Sequence, residues 1–307
     1  MNLSDPQRLR GLVAATHTPF HADGSLNLSV VEKQAAHLSA NGVGAAFIGG
    51  TTGESHSLTT DERRALAQRW MEVTRGSALR VVVHVGSNCI EDSRALATHA
   101  EKAGAAAIAA FSPSYFKPRS VLMLVECCAR IASAAPATPF YYYDIPSMTG
   151  VSLPMVEFLA QARGRIPNLA GLKFTNADLM SFQQCLHADD GAWEVLWGCD
   201  EYLLAALALG GSGAVGSTYN FAAPIYTRLI AAFQRSDLAG AREEQWRSVR
   251  IVQLVGGYGY MGAAKAVMGM LGVPVGPARL PHGNPTPEQV GKLRAELEAI
   301  GFFDWIQ

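Results

Sequence analysis

The chain has 307 residues, 49% hydrophobic and 17% charged, which is enough apolar material for one large core or two ordinary ones. A formal net charge of −1 gives no electrostatic case for nucleic acid or an anionic membrane surface. Five cysteines (Cys89, Cys127, Cys128, Cys185, Cys199) without zinc-type spacing point to reduced thiols in a cytoplasmic protein, and no apolar run is long enough to span a bilayer.

Met1–Pro6 lacks the apolar stretch of a secretory leader. Gly11–Thr16 reads as a first buried strand, ended by Thr18-Pro19-Phe20 and a turn at Asp23-Gly24. Helical spacing over residues 28–41 stops at Asn41-Gly42, a helix-ending signal. Ala45–Ile48 is a second strand, followed by Gly49-Gly50-Thr51-Thr52-Gly53-Glu54. Thr59 and Glu62 then have the spacing of a capping box that opens a helix.

The alternation continues. Arg80–Val85 is a third strand and 91–103 a helix; Ala106–Ala110 is a fourth strand and 119–134 a helix. Pro139–Tyr143 is a fifth strand, closed by Asp144-Ile145-Pro146, with a helix near 154–162. Asn168–Leu172 is a sixth strand that runs into Lys173, with a helix over 178–187. Trp193–Trp197 is a seventh, followed by a helix over Glu201–Leu207. Gly213–Gly216 is a short eighth, with a helix near 222–234. Eight strands alternating with eight helices predict an α/β fold, the (β/α)8 TIM barrel, over 8–225. Helical spacing at 238–255, 260–271 and 286–299 predicts a C-terminal helical extension over 226–307, packed on the barrel.

In such barrels the reactive groups sit at the C-terminal ends of the strands. Polar residues collect at those ends here. They are Thr51 and Thr52 after strand two, Tyr143 at strand five, and Lys173 and Thr175 at strand six. Gly198, Asp200 and Glu201 follow strand seven, and Ser217 follows strand eight.

A lysine sheltered at a strand end favours its neutral amine, which attacks a carbonyl to form a Schiff base. The other five lysines (Lys33, Lys102, Lys117, Lys265, Lys292) fall on helices or loops, the ordinary place for lysine. The glycines and hydroxyls of Gly49–Glu54 suit a carboxylate, or simply a tight turn into the next helix. Alternation puts Tyr141 and Tyr143 on one side and Tyr142 on the other, so Tyr143 is either a proton shuttle or a packing aromatic. Asp200 and Glu201 either accept from sugar hydroxyls or cap the next helix.

Gly211–Gly216 matches G-x-G-x-x-G, but a helical run precedes it and the glycines flank a strand, so a dinucleotide site is rejected. The histidines, His84 included, show no metal-binding spacing, and no metal is expected. Cys127-Cys128 fits a helix core.

With these residues in place the chain resembles the dihydrodipicolinate synthase / N-acetylneuraminate lyase superfamily, its lyase branch above all. The likeness runs through Gly50–Glu54, Pro139–Pro146, Gly171–Thr175, Gly198–Glu201, Gly213–Asn220 and Gly276–Pro281. The resemblance implies a class I aldolase with no metal or organic cofactor beyond a covalent imine at Lys173. It implies that Thr51 and Thr52 hold the keto-acid carboxylate, Tyr143 moves the aldol proton and Thr175 orients the C4 oxygen. Gly198, Asp200, Glu201 and Ser217 would grip a polyhydroxyl tail, and Tyr115 would reach a neighbouring subunit of a homotetramer.

The implied reaction is reversible cleavage of N-acetylneuraminate to pyruvate and N-acetylmannosamine. The synthase branch normally carries an arginine after its Tyr-x-x-Pro segment, where this chain has Met148 in Ile145–Gly150. Other 2-keto-3-deoxy sugar acids, the synthase reaction, and a sugar-acid sensor without catalysis remain open at this point.

Overall fold

Eight short apolar runs, each boxed in by glycines, prolines or polar turns, form the strands. They are β1 (Gly11–Ala15), β2 (Ala45–Ile48), β3 (Arg80–His84), β4 (Ala107–Ala110), β5 (Phe140–Asp144), β6 (Leu169–Phe174), β7 (Glu194–Trp197) and β8 (Gly213–Gly216). In the computed structural model, which describes residues 8–307, all eight pair in parallel in chain order, and β1 closes on β8 through Gly11↔Gly213 to Ala14↔Gly216. The leaderless reading of Met1–Pro6 lies outside the described residues.

The strand period of two sorts side chains between an inner and an outer layer. Val13, Phe47, Val82, Ala109, Tyr141, Tyr143, Leu196 and Val215 fill the barrel interior. Leu12, Ala46, Val81, Ile108, Tyr142, Leu172 and Trp197 belong to the layer shared with the helices. Tyr142 meets Phe158 of the helix Met155–Ala162 with ring centroids 4.8 Å apart. Each such fully buried side chain contributes about 1.5–3 kcal/mol.

Helix boundaries follow local chemistry. Thr59 and Glu62 make the expected reciprocal capping box at the start of Thr60–Val73. The helix Ile90–Ala103 ends on Gly104 in the left-handed conformation at φ 88. The glycines of 211–216 lie after a helix, Leu203–Ala208, and two of them, Gly213 and Gly216, begin and end β8. The helix after β8 runs Ala223–Gln234. Two short α-helices were not anticipated: Pro146–Thr149, with Pro at its first position, and Phe302–Trp305 at the end of the chain.

The extension consists of Leu238–Gly257, Tyr260–Met270, Pro287–Ala299 and Phe302–Trp305. Its first helix packs along Ala223–Gln234, and Leu293, Leu297 and Phe302 are fully buried. No helix among the described residues is long and apolar enough to cross a membrane.

Candidate active site

Lys173 is the fifth of six residues in β6, inside the strand rather than just beyond it, and pairs with Tyr143 of β5. It points into the barrel and is 3% exposed. Its Nζ lies 3.8 Å from the Tyr143 ring centroid and 4.2 Å from that of Phe47. Among the described residues no carboxylate pairs with it. Phe47 and Tyr143 stand edge to face at 5.8 Å, so the amine is held in an aromatic corner.

The corner opens into a cavity of about 360 Å³ at the C-terminal ends of the strands. Thr51 and Thr52 line it from the loop after β2, and Thr51 Oγ1 lies 3.2 Å from Tyr143 Oη. Thr175 lines it from just beyond β6, and its hydroxyl oxygen is buried without a hydrogen-bond partner among the described residues. A buried hydroxyl left unpaired in the free protein marks a place for a ligand atom. Gly198 lies directly opposite: a Cβ there would collide with Thr175 Oγ1, so only glycine leaves that hydroxyl its place.

The segment after β7 carries the acids. Asp200 is 5% exposed, and its Oδ2 accepts from Thr218 N at 2.9 Å and Thr218 Oγ1 at 2.6 Å. Desolvation pushes its carboxyl up to about 6, with the Thr218 bonds opposing. Thr218 Oγ1 also lies 2.6 Å from Tyr226 Oη, which lies 2.7 Å from Ser248 Oγ. Asp200 thus caps no helix through its side chain; it is tied across to the segment after β8, where a Cβ on Gly216 would strike it. Glu201 and Ser217 line the cavity beside it.

Nine of the ten residues singled out in the sequence therefore line one cavity, and Lys173 is the only basic side chain among its lining residues. Tyr115 is the exception. It is 77% exposed, beside Phe116 at 86%, on a separate surface groove.

Other lining residues were not singled out. Ile145, Ser147 and Met148 come from the short helix Pro146–Thr149 and the residue before it; Val252, Tyr260 and Met261 come from the extension. The extension is thus a wall of the cavity. The run Gly256-Gly257-Tyr258-Gly259-Tyr260, which breaks one helix and opens the next, was the signal available. Lys265, which had the look of an ordinary helical lysine, is on a helix but buried at 2% exposure.

Two buried clusters hold the Gly49–Glu54 loop. Glu54 takes a left-handed backbone (φ 57, ψ 37), a strained choice for a non-glycine residue. Its Oε1 is 2.6 Å from Lys265 Nζ, and its Oε2 accepts from Arg279 N at 2.7 Å. Lys265 also donates to Pro277 O at 2.8 Å, and desolvation lowers its ammonium to about 8 against the pull of Glu54. At the other end of the loop His84 Nδ1 lies 3.0 Å from Gly49 O, while Phe111 N donates to His84 Nε2 at 3.4 Å. Burial first, then the charges of Arg63 and Lys173, hold His84 well below its usual range, so it stays neutral. Among the described residues no cluster of three or more His, Cys, Asp or Glu could hold a metal ion.

The dihydrodipicolinate synthetase family matches residues 8–300. The chain belongs to that family. Within it, N-acetylneuraminate lyase of Gallus gallus is 42% identical over 298 residues, covering 96% of this chain and 97% of that protein. N-acetylneuraminate lyase of Mus musculus is 40% identical over 300 residues, covering 96% and 94%. A solved structure of Proteus mirabilis N-acetylneuraminate lyase superposes with a TM-score of 0.92 at 41% identity, covering 95% of this chain and 98% of that one. Family membership and the closed eight-stranded barrel agree with the expectation drawn from the sequence.

Proposed function

We propose that this chain is a class I aldolase that reversibly cleaves N-acetylneuraminate to pyruvate and N-acetylmannosamine. The observation that carries the reading is one juxtaposition. Lys173 Nζ lies against Tyr143, whose hydroxyl faces Thr51, in a cavity also lined by Asp200, Glu201 and Ser217.

The deprotonated Lys173 amine adds to the C2 ketone, and loss of water leaves an iminium. Thr51 and Thr52 bind the carboxylate through hydroxyls rather than a countercharge. Tyr143, acting through that carboxylate, takes the C4 hydroxyl proton while Thr175 holds the C4 oxygen. As C3–C4 breaks, its electrons pass into the iminium as an enamine, and the aldehyde of N-acetylmannosamine leaves. Protonation at C3 and hydrolysis return the amine and release pyruvate. The imine supplies the electron sink, so the steps call on no metal or organic cofactor.

Substrate class follows from charge. A second substrate carboxylate would find no guanidinium among the lining residues, whereas hydroxyls meet Asp200, Glu201 and Ser217. The exposed aromatic pair Tyr115 and Phe116 supports a homotetramer in which a neighbouring copy covers that surface. Five unpaired cysteines suit the reducing cytoplasm.

The test is reduction with borohydride in the presence of pyruvate, followed by peptide mapping. The expected adduct is on Lys173, and Lys173→Ala should release no pyruvate from N-acetylneuraminate. An adduct on another lysine defeats the assignment.

A further inference from the structure

Ser217 Oγ lies 2.6 Å from the phenolic oxygen of Tyr260, and both residues line the Lys173 cavity. They come from distant parts of the chain. Ser217 follows β8, and Tyr260 opens the helix Tyr260–Met270 of the extension after Gly259, whose φ of 77 makes the turn that delivers it. This is the only hydrogen bond of the Tyr260 side chain among the described residues.

The direction of that bond decides what Ser217 can do. Desolvation and the Asp200 carboxylate both push the Tyr260 phenol up, so it keeps its proton. A phenol is a strong donor and a poor acceptor, and a serine hydroxyl accepts readily. Tyr260 therefore donates to Ser217 Oγ, and the serine proton is turned away from Tyr260. Asp200 is already engaged by Thr218 on the same side. The acids of that wall accept hydrogen bonds; a fixed serine proton adds a donor to it.

We propose that Tyr260 is a positioning residue that holds the Ser217 hydroxyl as a donor to an acceptor oxygen on the tail of the bound sugar acid. The extension thereby sets affinity for the tail, while the barrel carries the imine chemistry. This rests on the aldolase reading of the cavity.

Tyr260→Phe removes the phenolic oxygen and keeps the ring. KM and kcat for pyruvate release are measured for the parent, Y260F, S217A and the double variant, beside the pyruvate concentration that half-saturates borohydride trapping at Lys173. Y260F should raise KM for the sugar acid about threefold to tenfold, the effect of one lost hydrogen bond, with kcat within about twofold. In the S217A background the same change should add less than about twofold, because the two act as one unit. Half-saturation by pyruvate, which has no tail, should move less than about twofold.

An unchanged KM in Y260F overturns the proposal. So does an equal rise in both backgrounds, or a parallel rise for pyruvate, which would mark a general disturbance of the site. If the parent traps pyruvate but leaves N-acetylneuraminate intact, the substrate reading fails. The same series is then run on whichever 2-keto-3-deoxy sugar acid the parent cleaves, and decides the role of Tyr260 there.

Discussion

Glu54 and Lys265 form an ion pair at 2.6 Å in which both side chains are almost completely buried. One partner sits in the loop after β2 and the other on a helix of the extension. Burying two charges is costly, and mutual attraction repays it only while both are present. Lys265→Met should therefore lower stability by about 3–5 kcal/mol and reduce activity, because Glu54 sits two residues from Thr52. The double variant E54L/K265M should recover much of the stability. Urea unfolding of the three proteins checks this; a loss below about 1 kcal/mol for K265M would show that the pair holds nothing.

Tyr143→Phe keeps the ring against Lys173 and removes the oxygen near Thr51. The imine should still form, while kcat for cleavage falls about a hundredfold to ten-thousandfold, the range for a lost general acid–base group. Borohydride trapping beside pyruvate release separates the two steps. Loss of trapping to the same degree would assign Tyr143 to binding instead.

Thr175→Val exchanges an unpaired buried hydroxyl for a methyl of similar size. An unsatisfied buried hydroxyl costs about 1–3 kcal/mol, so the variant should be at least as stable as the parent and at least tenfold slower. Thermal unfolding and kcat/KM test both halves. Gly198→Ala should slow turnover too, but with a fall in stability, since its Cβ meets Thr175.

Asp144, at the end of β5, is 2% exposed, and its carboxylate accepts from Asn176 Nδ2 at 3.4 Å. Burial raises its carboxyl from 3.8 to about 7. The folded protein therefore binds this proton more tightly than the unfolded chain. The penalty is complete above pH 7 and fades as pH falls towards 3.8, reaching about 4 kcal/mol at most. Asp144→Asn should raise the unfolding temperature clearly at pH 8 and little at pH 4.5. Equal gains at both values would trace the effect to something other than ionisation.

The barrel was legible because its signals are local. Runs such as Val81–Val83 between a glycine-rich loop and a helix start announce strands, and period two alone separates Tyr143 from Tyr142. Lys173 was legible for the same reason: an apolar strand that carries one amine is conspicuous. Glu54 with Lys265, and Ser217 with Tyr260, were not, because nothing local to either residue states where the last helices return. Lys265 reads as a surface residue of an amphipathic helix until its burial is seen. The helix Pro146–Thr149 was missed because a single turn carries too little periodicity, although proline at its first position is a start signal.

The clamp on Glu54 has a consequence for how the molecule is made. All eight strands, and Lys173 with them, leave the ribosome before Lys265 and Arg279 are added. A nascent chain can thus close its cylinder while the loop facing the amine still lacks its fastener. Transplanting only the cylinder between relatives would reproduce that unfinished state, so the seam of any chimera belongs after the final helix.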